Sequence, residues 1–307
     1  MESDQLRPSG LWVHLRFPFS VLLMPVFWFG LWTIPVQQLN TREACMLFII
    51  LHLLVYPSSN GFNSIQDRDT GPIGLLEKPP MPSLALRPLT LFMDILAMVI
   101  AAWFLLLPAT MLLLVYIIAS RLYSWRPVRM KRFAVTGFLL VFFCQGALVF
   151  LITGLACDGT AAMAWIEGGV KGVFSFWNQS SALPPAFISS LLIGSMYPLT
   201  QIYQHVQDRQ DGVQTLSARL GYHGTFLFSG LLFVLATLLL WPLLGTAEAR
   251  VIFHLCLAPV PVYFLYWWLK VRKDSRYADF NHTMRMSVLS SGCLNLAFLL
   301  LLFIGHR

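Results

Sequence analysis

Apolar residues in this chain fall in long blocks separated by short polar stretches. The blocks at 99–118 and 225–245 each hold ~20 residues, enough for a helix to cross the hydrocarbon core of a bilayer. Nine such segments are predicted, at 17–37, 43–62, 88–107, 108–121, 134–154, 183–203, 224–245, 250–269 and 285–304. The third and fourth meet at Pro108, where a helical hairpin must turn sharply. The first lacks a small-residue cleavage site and is followed by eight more, so it reads as a span and not as a signal peptide. Residues 155–182 are glycine-rich and semi-apolar, and are expected to form an interfacial or re-entrant piece.

Composition agrees. Charged residues make up 11% of the chain, against ~25% in ordinary soluble proteins, and mean hydropathy is +0.68. A soluble enzyme, a disordered chain and a disulfide scaffold are excluded. The expectation is an all-α, polytopic membrane protein, with residues 1–307 forming one transmembrane domain. The net charge of +7 is explained by topology rather than by nucleic acid, because no basic run with interleaved aromatics lies on a polar segment. With the N-terminus and the loops after spans 2, 4, 6 and 8 on one side, 17 of the 21 Lys and Arg residues collect there. The positive-inside rule then puts the N-terminus in the cytoplasm and the C-terminus outside. The predicted location is the cytoplasmic (inner) membrane. Five cysteines, at 45, 144, 157, 256 and 293, form no C-x-x-C pair and read as small apolar residues.

Two segments resemble each other. Gln66-Asp67-Arg68-Asp69-Thr70-Gly71 ends span 2, and Gln207-Asp208-Arg209-Gln210-Asp211-Gly212 ends span 6. Four residues before the first aspartate of each stands an amide, Asn63 or Gln204. An i,i+4 pair shares one helical face, so each helix end offers an amide oxygen beside a carboxylate. Facing one cavity, the two ends would form oxygen-rich patches with an arginine beside each. Hard oxygens suit Mg²⁺, which binds through one or two carboxylates plus substrate phosphates, and arginine suits phosphate oxygens. A diphosphate bridged by Mg²⁺ is the natural ligand.

At this point the chain resembles the UbiA-type intramembrane prenyltransferases. That superfamily has nine transmembrane helices and acidic motifs at the cytoplasmic ends of helices 2 and 6. Its N-D-x-x-D-x-x-x-D motif corresponds to Asn63-Ser64, Asp67 and Gly71. Its second motif, D-x-x-x-D with G-x-x-T-L and a terminal L-G, corresponds to Gln204, Asp208, Gly212-Val213-Gln214-Thr215-Leu216 and Leu220-Gly221. Tyr123-Ser124, Pro127 and Lys131-Arg132 resemble its Y-x-x-P…K-R segment, and Arg16-Phe17-Pro18 the pair that opens helix 1. Lys78-Pro79-Pro80 stands where many members have R-P. The resemblance implies transfer of an isoprenyl group from its diphosphate to a lipophilic, aromatic acceptor, with Mg²⁺ as cofactor. It implies catalytic roles for Asp67, Asp208, Asn63 and Gln204, and metal binding by Asn63, Asp67, Asp208 and Asp211. Diphosphate would fall to Arg68, Lys131, Arg132, Arg209, Arg16, Lys78 and Tyr123. A terpene cyclase and a non-catalytic lipid-binding or transport protein on the same scaffold are the rival readings.

The departures bear on chemistry. Ser64, Gly71 and Gln204 stand where the motifs have acids, so each motif keeps one aligned carboxylate. Asp69 lies about 200° round a helix from Asp67 and could join only if the helix has unwound. Asp211, three residues from Asp208, is the better substitute. The metal site is therefore expected to be weaker or differently built, with more of the diphosphate charge on the bases. Two polar residues keep two readings each. Asp94 in span 3 partners a loop cation such as Arg68 or Lys131, or else reaches interfacial water. His205 acts on an acceptor proton or is simply solvated at a helix end.

Overall fold

The computed structural model describes residues 8–68 and 71–304. Among these residues the chain is helical, with no β-strand. Eight helices are long and apolar enough to span a membrane: α1 (Gly10–Trp32), α2 (Thr41–Asp67), α3 (Leu86–Phe104), α4 (Leu107–Ser124), α5 (Ala134–Cys157), α8 (Leu216–Leu244), α9 (Ala247–Lys273) and α10 (Phe280–Ile304). The count reaches nine where α6 (Gly159–Gln179) and α7 (Leu183–Gln210), a pair bent by 75°, are taken together as one broken span. Residues 155–182 are thus mostly a helix set across its neighbour, itself broken at Gly169, where φ is +53°.

Local chemistry explains the breaks. Leu105 and Leu106 are extended, and Pro108 sits in the first turn of α4, where its missing N–H and fixed φ do no harm. Pro198 lies inside α7, and the chain beyond it tightens into a 3₁₀ turn over Ile202–Gln204. α5 widens to a π-helix over Phe142–Leu148. Ser190 of α7 accepts a hydrogen bond from the Ala147 N–H in this stretch (3.0 Å). The two helices approach so closely that a Cβ on Gly146 would lie 2.3 Å from the Ser190 Cα. Only glycine fits there.

α7 packs against α5 and α8, α10 against α1 and α9, and α2 against α3. The core is apolar and rich in aromatic rings. Phe29 of α1 lies 4.9 Å from Phe298 of α10 and 5.4 Å from Phe150 of α5, centroid to centroid. Outward-facing residues are also apolar, and Trp103 (81%) and Phe303 (86%) are the most exposed of them. An apolar exterior on a large scale marks a lipid-facing surface rather than a watery one. Cys45 is exposed rather than buried.

Candidate active site

The bundle encloses a cavity of about 300 Å³. Its deeper walls are apolar, with Val26, Leu192 and Leu294 among them, and its mouth is polar. The ends of α2 and α7 meet at that mouth. α2 stops because Arg68 adopts the left-handed conformation (φ +52°) that closes a helix C-terminus. Gly71, in the chain leaving α2, lies against the end of the Gln207 side chain of α7, with a Cβ there 2.6 Å from Gln207 Oε1. That amide end is flexible and can give way, so the contact does not by itself require glycine.

Asn63, Asp67, Gln204, Asp208 and Asp211 all line the cavity. Asn63 lies one turn before Asp67 on the same helix, whereas Gln204 closes a 3₁₀ turn just ahead of the short helical piece that carries Asp208, so the i,i+4 face expected from spacing is continuous only in the first motif. Asn63 Oδ1 accepts from the Ser124 hydroxyl (2.7 Å), and the Gln204 amide donates to the Pro72 carbonyl (3.2 Å). Tyr123 lines the same space, its hydroxyl 2.5 Å from that of Tyr197. Arg16 interrupts α1 with φ +48° and donates to the Asn60 carbonyl (3.2 Å), which aims it into the mouth.

The loop after α4 supplies the bases. Lys131 pairs with Asp67 Oδ2. Arg129 donates to Asp67 Oδ1 (3.2 Å) and pairs with Asp211 Oδ2, and its second nitrogen reaches the Asp211 carbonyl (3.2 Å). One guanidinium thus ties the two motifs together. Arg126 adds bonds to the Gln66 and Asp67 carbonyls and stands 3.8 Å from Asp211. Burial pushes the Asp211 carboxyl up, but Arg129, Arg126 and Lys131 outweigh it and hold the group below the ordinary carboxylate range. Burial works against the Arg129 charge too, and its bonds to Asp211 and Asp67 more than offset that.

Four expected diphosphate ligands are elsewhere. Arg68, Lys78, Arg132 and Arg209 are exposed and do not line the cavity. Each follows or flanks a motif residue, but helix and loop geometry turns it outward, and Arg132 lies over the Phe133 ring at 4.6 Å. Asp69 falls outside the described residues. Both readings of Asp94 give way to a third. It is buried and takes a hydrogen bond from Arg121 Nε (2.9 Å) on α4 and one from Ser58 Oγ (2.7 Å) on α2. His205 is buried rather than solvated, bonded to Ser217 Oγ (2.8 Å) and stacked on Tyr222. The residue missed from sequence was Arg129. It stands two positions before Lys131 in a loop with four bases, and that density was the available signal.

Three acids (Asp67, Asp208, Asp211) and three bases (Arg16, Arg129, Lys131) line the cavity. Formal charge is balanced, so an incoming diphosphate would arrive with its charge uncompensated. The donors at the mouth are carboxylates and amides, hard oxygens that fit Mg²⁺. Among the described residues no three His, Cys, Asp or Glu side chains converge as a complete metal cage. A metal held here would need phosphate oxygens to complete its shell.

A family model described as the UbiA prenyltransferase family matches residues 22–289. No curated protein sequence matches the chain. Among solved structures, a UbiA homolog from Archaeoglobus fulgidus bound to GPP and Mg²⁺ is similar with a TM-score of 0.62 at 15% identity, over 95% of this chain and 99% of that one. The same homolog bound to DMAPP and Mg²⁺ has the same score, identity and coverage. A structure of digeranylgeranylglyceryl phosphate synthase has a TM-score of 0.58 at 16% identity, covering 98% of both chains. At these identities the likeness is one of fold.

Proposed function

The chain belongs to the UbiA prenyltransferase family, and on that premise we propose that it moves an isoprenyl group from an isoprenyl diphosphate to a lipophilic aromatic acceptor within the membrane. The observation that carries this is one cavity with two chemistries, an acid–base mouth built from both motifs above an apolar interior. A prenyl diphosphate has the same two halves. The solved neighbours bound to GPP or DMAPP with Mg²⁺ support the donor class.

In this reading Arg16, Arg129 and Lys131 hold the diphosphate oxygens by charge-assisted hydrogen bonds. Asn63, Asp67, Asp208 and Asp211 would hold Mg²⁺ together with the diphosphate, and Gln204 would support the second motif. The metal would supply positive charge against the departing diphosphate. The allylic C–O bond breaks and its electron pair leaves with the diphosphate. The acceptor's nucleophilic atom bonds to the prenyl carbon, and the acceptor releases a proton. Preorganised cations at the leaving oxygens lower the barrier because charge develops there. The apolar walls keep water from the allylic cation. The bases in these loops support a mouth on the cytoplasmic face, as the positive-inside rule expects.

The test is pyrophosphate release by the purified protein in detergent, from geranyl, farnesyl and geranylgeranyl diphosphates. Each is run with Mg²⁺ and with EDTA, and with a panel of quinone precursors and phenols. The expected result is metal-dependent release that requires an acceptor, with a prenylated product by mass spectrometry. Hydrocarbon or alcohol product without any acceptor would mean a cyclase. Silence across the whole panel would end the enzymatic reading.

A further inference from the structure

The mouth of the cavity carries an arrangement that the proposed function does not require. Both oxygens of Asp67 are engaged by bases, Oδ1 by Arg129 and Oδ2 by Lys131. Arg129 also holds Asp211 through its carboxylate and its carbonyl. The contacts to Asp67 are sheltered, since its side chain is 2% exposed and those of Arg129 and Lys131 are 10% and 14%, while Asp211 at the rim is 34% exposed. Nor is Arg129 a loose surface side chain that happens to lie nearby. Its backbone is left-handed (φ +43°), a conformation that costs a non-glycine residue energy and persists where the surroundings impose it. The loop is further tied to the second motif by the Gln214 N–H, which donates to the Arg132 carbonyl (3.1 Å).

In this state a divalent ion entering between Asp67 and Asp211 would meet a guanidinium and an ammonium already occupying the carboxylates. Like charges at contact distance in a sheltered site repel strongly. A diphosphate changes the balance. Its oxygens match a guanidinium fork bidentately and an ammonium as a point charge. Once the bases turn to the diphosphate, the carboxylate oxygens are released, and the ligand brings the negative charge that a divalent ion requires.

We infer that Arg129 and Lys131 are resident counter-ions of Asp67 and Asp211, and that the site admits a divalent metal only as a diphosphate takes those two bases over. This rests on the prenyl-diphosphate reading and adds to it an exchange of partners. Metal and diphosphate bind cooperatively, and the resting protein holds metal weakly. Arg129 and Lys131 act here as positioning residues for the metal as well as ligands of the donor.

The test uses the full chain in detergent with Mn²⁺ as the probe, following the electron paramagnetic resonance signal of the free ion. Geranyl S-thiolodiphosphate, which resists ionisation, serves as the diphosphate, and its own Mn²⁺ complex in protein-free buffer is subtracted. Mn²⁺ should bind the resting protein weakly and at least ~5-fold more tightly with the analogue, the low end of ordinary coupling between sites. Linkage requires Mn²⁺ to tighten the analogue by the same factor. Arg129→Gln combined with Lys131→Gln should bind Mn²⁺ more tightly than wild type in the absence of analogue, with the coupling largely lost. Equal Mn²⁺ affinity with and without bound analogue in the wild type overturns the exchange, whatever the variants do. So does a folded double variant whose resting affinity is unchanged, and Lys131→Gln alone gives the same comparison if the double variant does not fold. Failure of labelled analogue to bind at all removes the functional reading and the exchange together. Analogue binding without coupling removes the exchange alone.

Discussion

At the scale of single residues, Asp67 and Arg129 bear most of the argument. Asp67 is the acid of the first motif that pairs with two bases of the loop after α4, so Asp67→Asn removes charge while keeping size and leaves Arg129 and Lys131 short of an acid. On the proposed function this variant, and Asp208→Ala in the second motif, should each lower kcat/KM for pyrophosphate release by ~10²-fold or more, the scale of losing one preorganised polar group at a developing charge. Full turnover in both would remove the site assignment. Asp211 makes a separate, pH-dependent prediction. Its folded pKa is depressed, so the stability it contributes is complete above its unfolded value of ~3.9 and is lost as pH falls through the lower folded value. Thermal unfolding in detergent between pH 3 and 7 should show Asp211→Asn less stable than wild type at neutral pH, with a flatter decline on the acid side. A parallel decline in the two proteins would show that other carboxylates dominate the acid limb. Arg129 itself was hidden in the sequence because its importance comes from a backbone turn and two distant acids, Asp67 and Asp211, neither of which a local pattern reports.

At the scale of elements, the spans were legible and their ends were not. Apolar blocks of bilayer length marked each helix, and Pro108 marked the α3–α4 turn correctly. The expected end of span 2 was residue 62, yet α2 runs on to Asp67, while α8 is broken at Gly221 (φ +67°), so that the expected start at 224 falls just past the break and a short helical piece from Leu216 precedes it. Hydropathy ends a helix where polarity begins. Here Asn60, Asn63 and Asp67 are polar because they face a cavity mouth, which is how a polar helix end stays ordered at the edge of a membrane. The first span starts at Gly10 for a related reason, since Arg16 breaks the helix without ending it. Asp94 teaches the same lesson. A carboxylate within an apolar span demands a cation at its own depth, and Arg121 of the adjacent helix is that cation, joining α2, α3 and α4 through Ser58. Asp94→Ala should destabilise the protein by ~3 kcal/mol, the lower end for breaking a buried pair, because Arg121 keeps some exposure. Unfolding in detergent by denaturant would measure it, and a loss below ~1 kcal/mol would reduce the pair to a surface-like one. Gly146 tests the α5–α7 contact. With Ser190 backbone 2.3 Å from its missing Cβ, Gly146→Leu must force the helices apart and should cost ~3 kcal/mol or more. Wild-type stability in that variant would mean the two helices are not held at this distance.

At the scale of the whole molecule, the cavity has a floor, and the floor sets how much of a prenyl chain the protein can touch. On α2 the lining runs from Asp67 at the mouth to Ser59, and on α10 from Met284 to Leu294. At 1.5 Å per residue these are depths of ~12 and ~15 Å. One helical turn beyond Leu294, Phe298 stacks on Phe29 with Phe150 beside them, all buried and outside the cavity lining, and this packed layer is taken as the floor. An isoprene unit adds four chain bonds, or ~5 Å when extended, so two to three units fill the depth between mouth and floor. Each methylene that moves from water into this space contributes ~0.8 kcal/mol, and every unit that fits should raise kcat/KM for diphosphate release by at least ~10-fold. A fourth unit must leave sideways toward lipid, where it gains nothing further from the protein. Donor preference should therefore climb from dimethylallyl through geranyl to farnesyl diphosphate and level off at geranylgeranyl. Leu294→Trp raises the floor from the side of α10 and should move the plateau to geranyl diphosphate while leaving the dimethylallyl donor nearly unaffected. A wild-type series that goes on climbing past farnesyl, or a Leu294→Trp protein that slows every donor alike, would mean that the aromatic stack is packing for the bundle and not a measure of the chain.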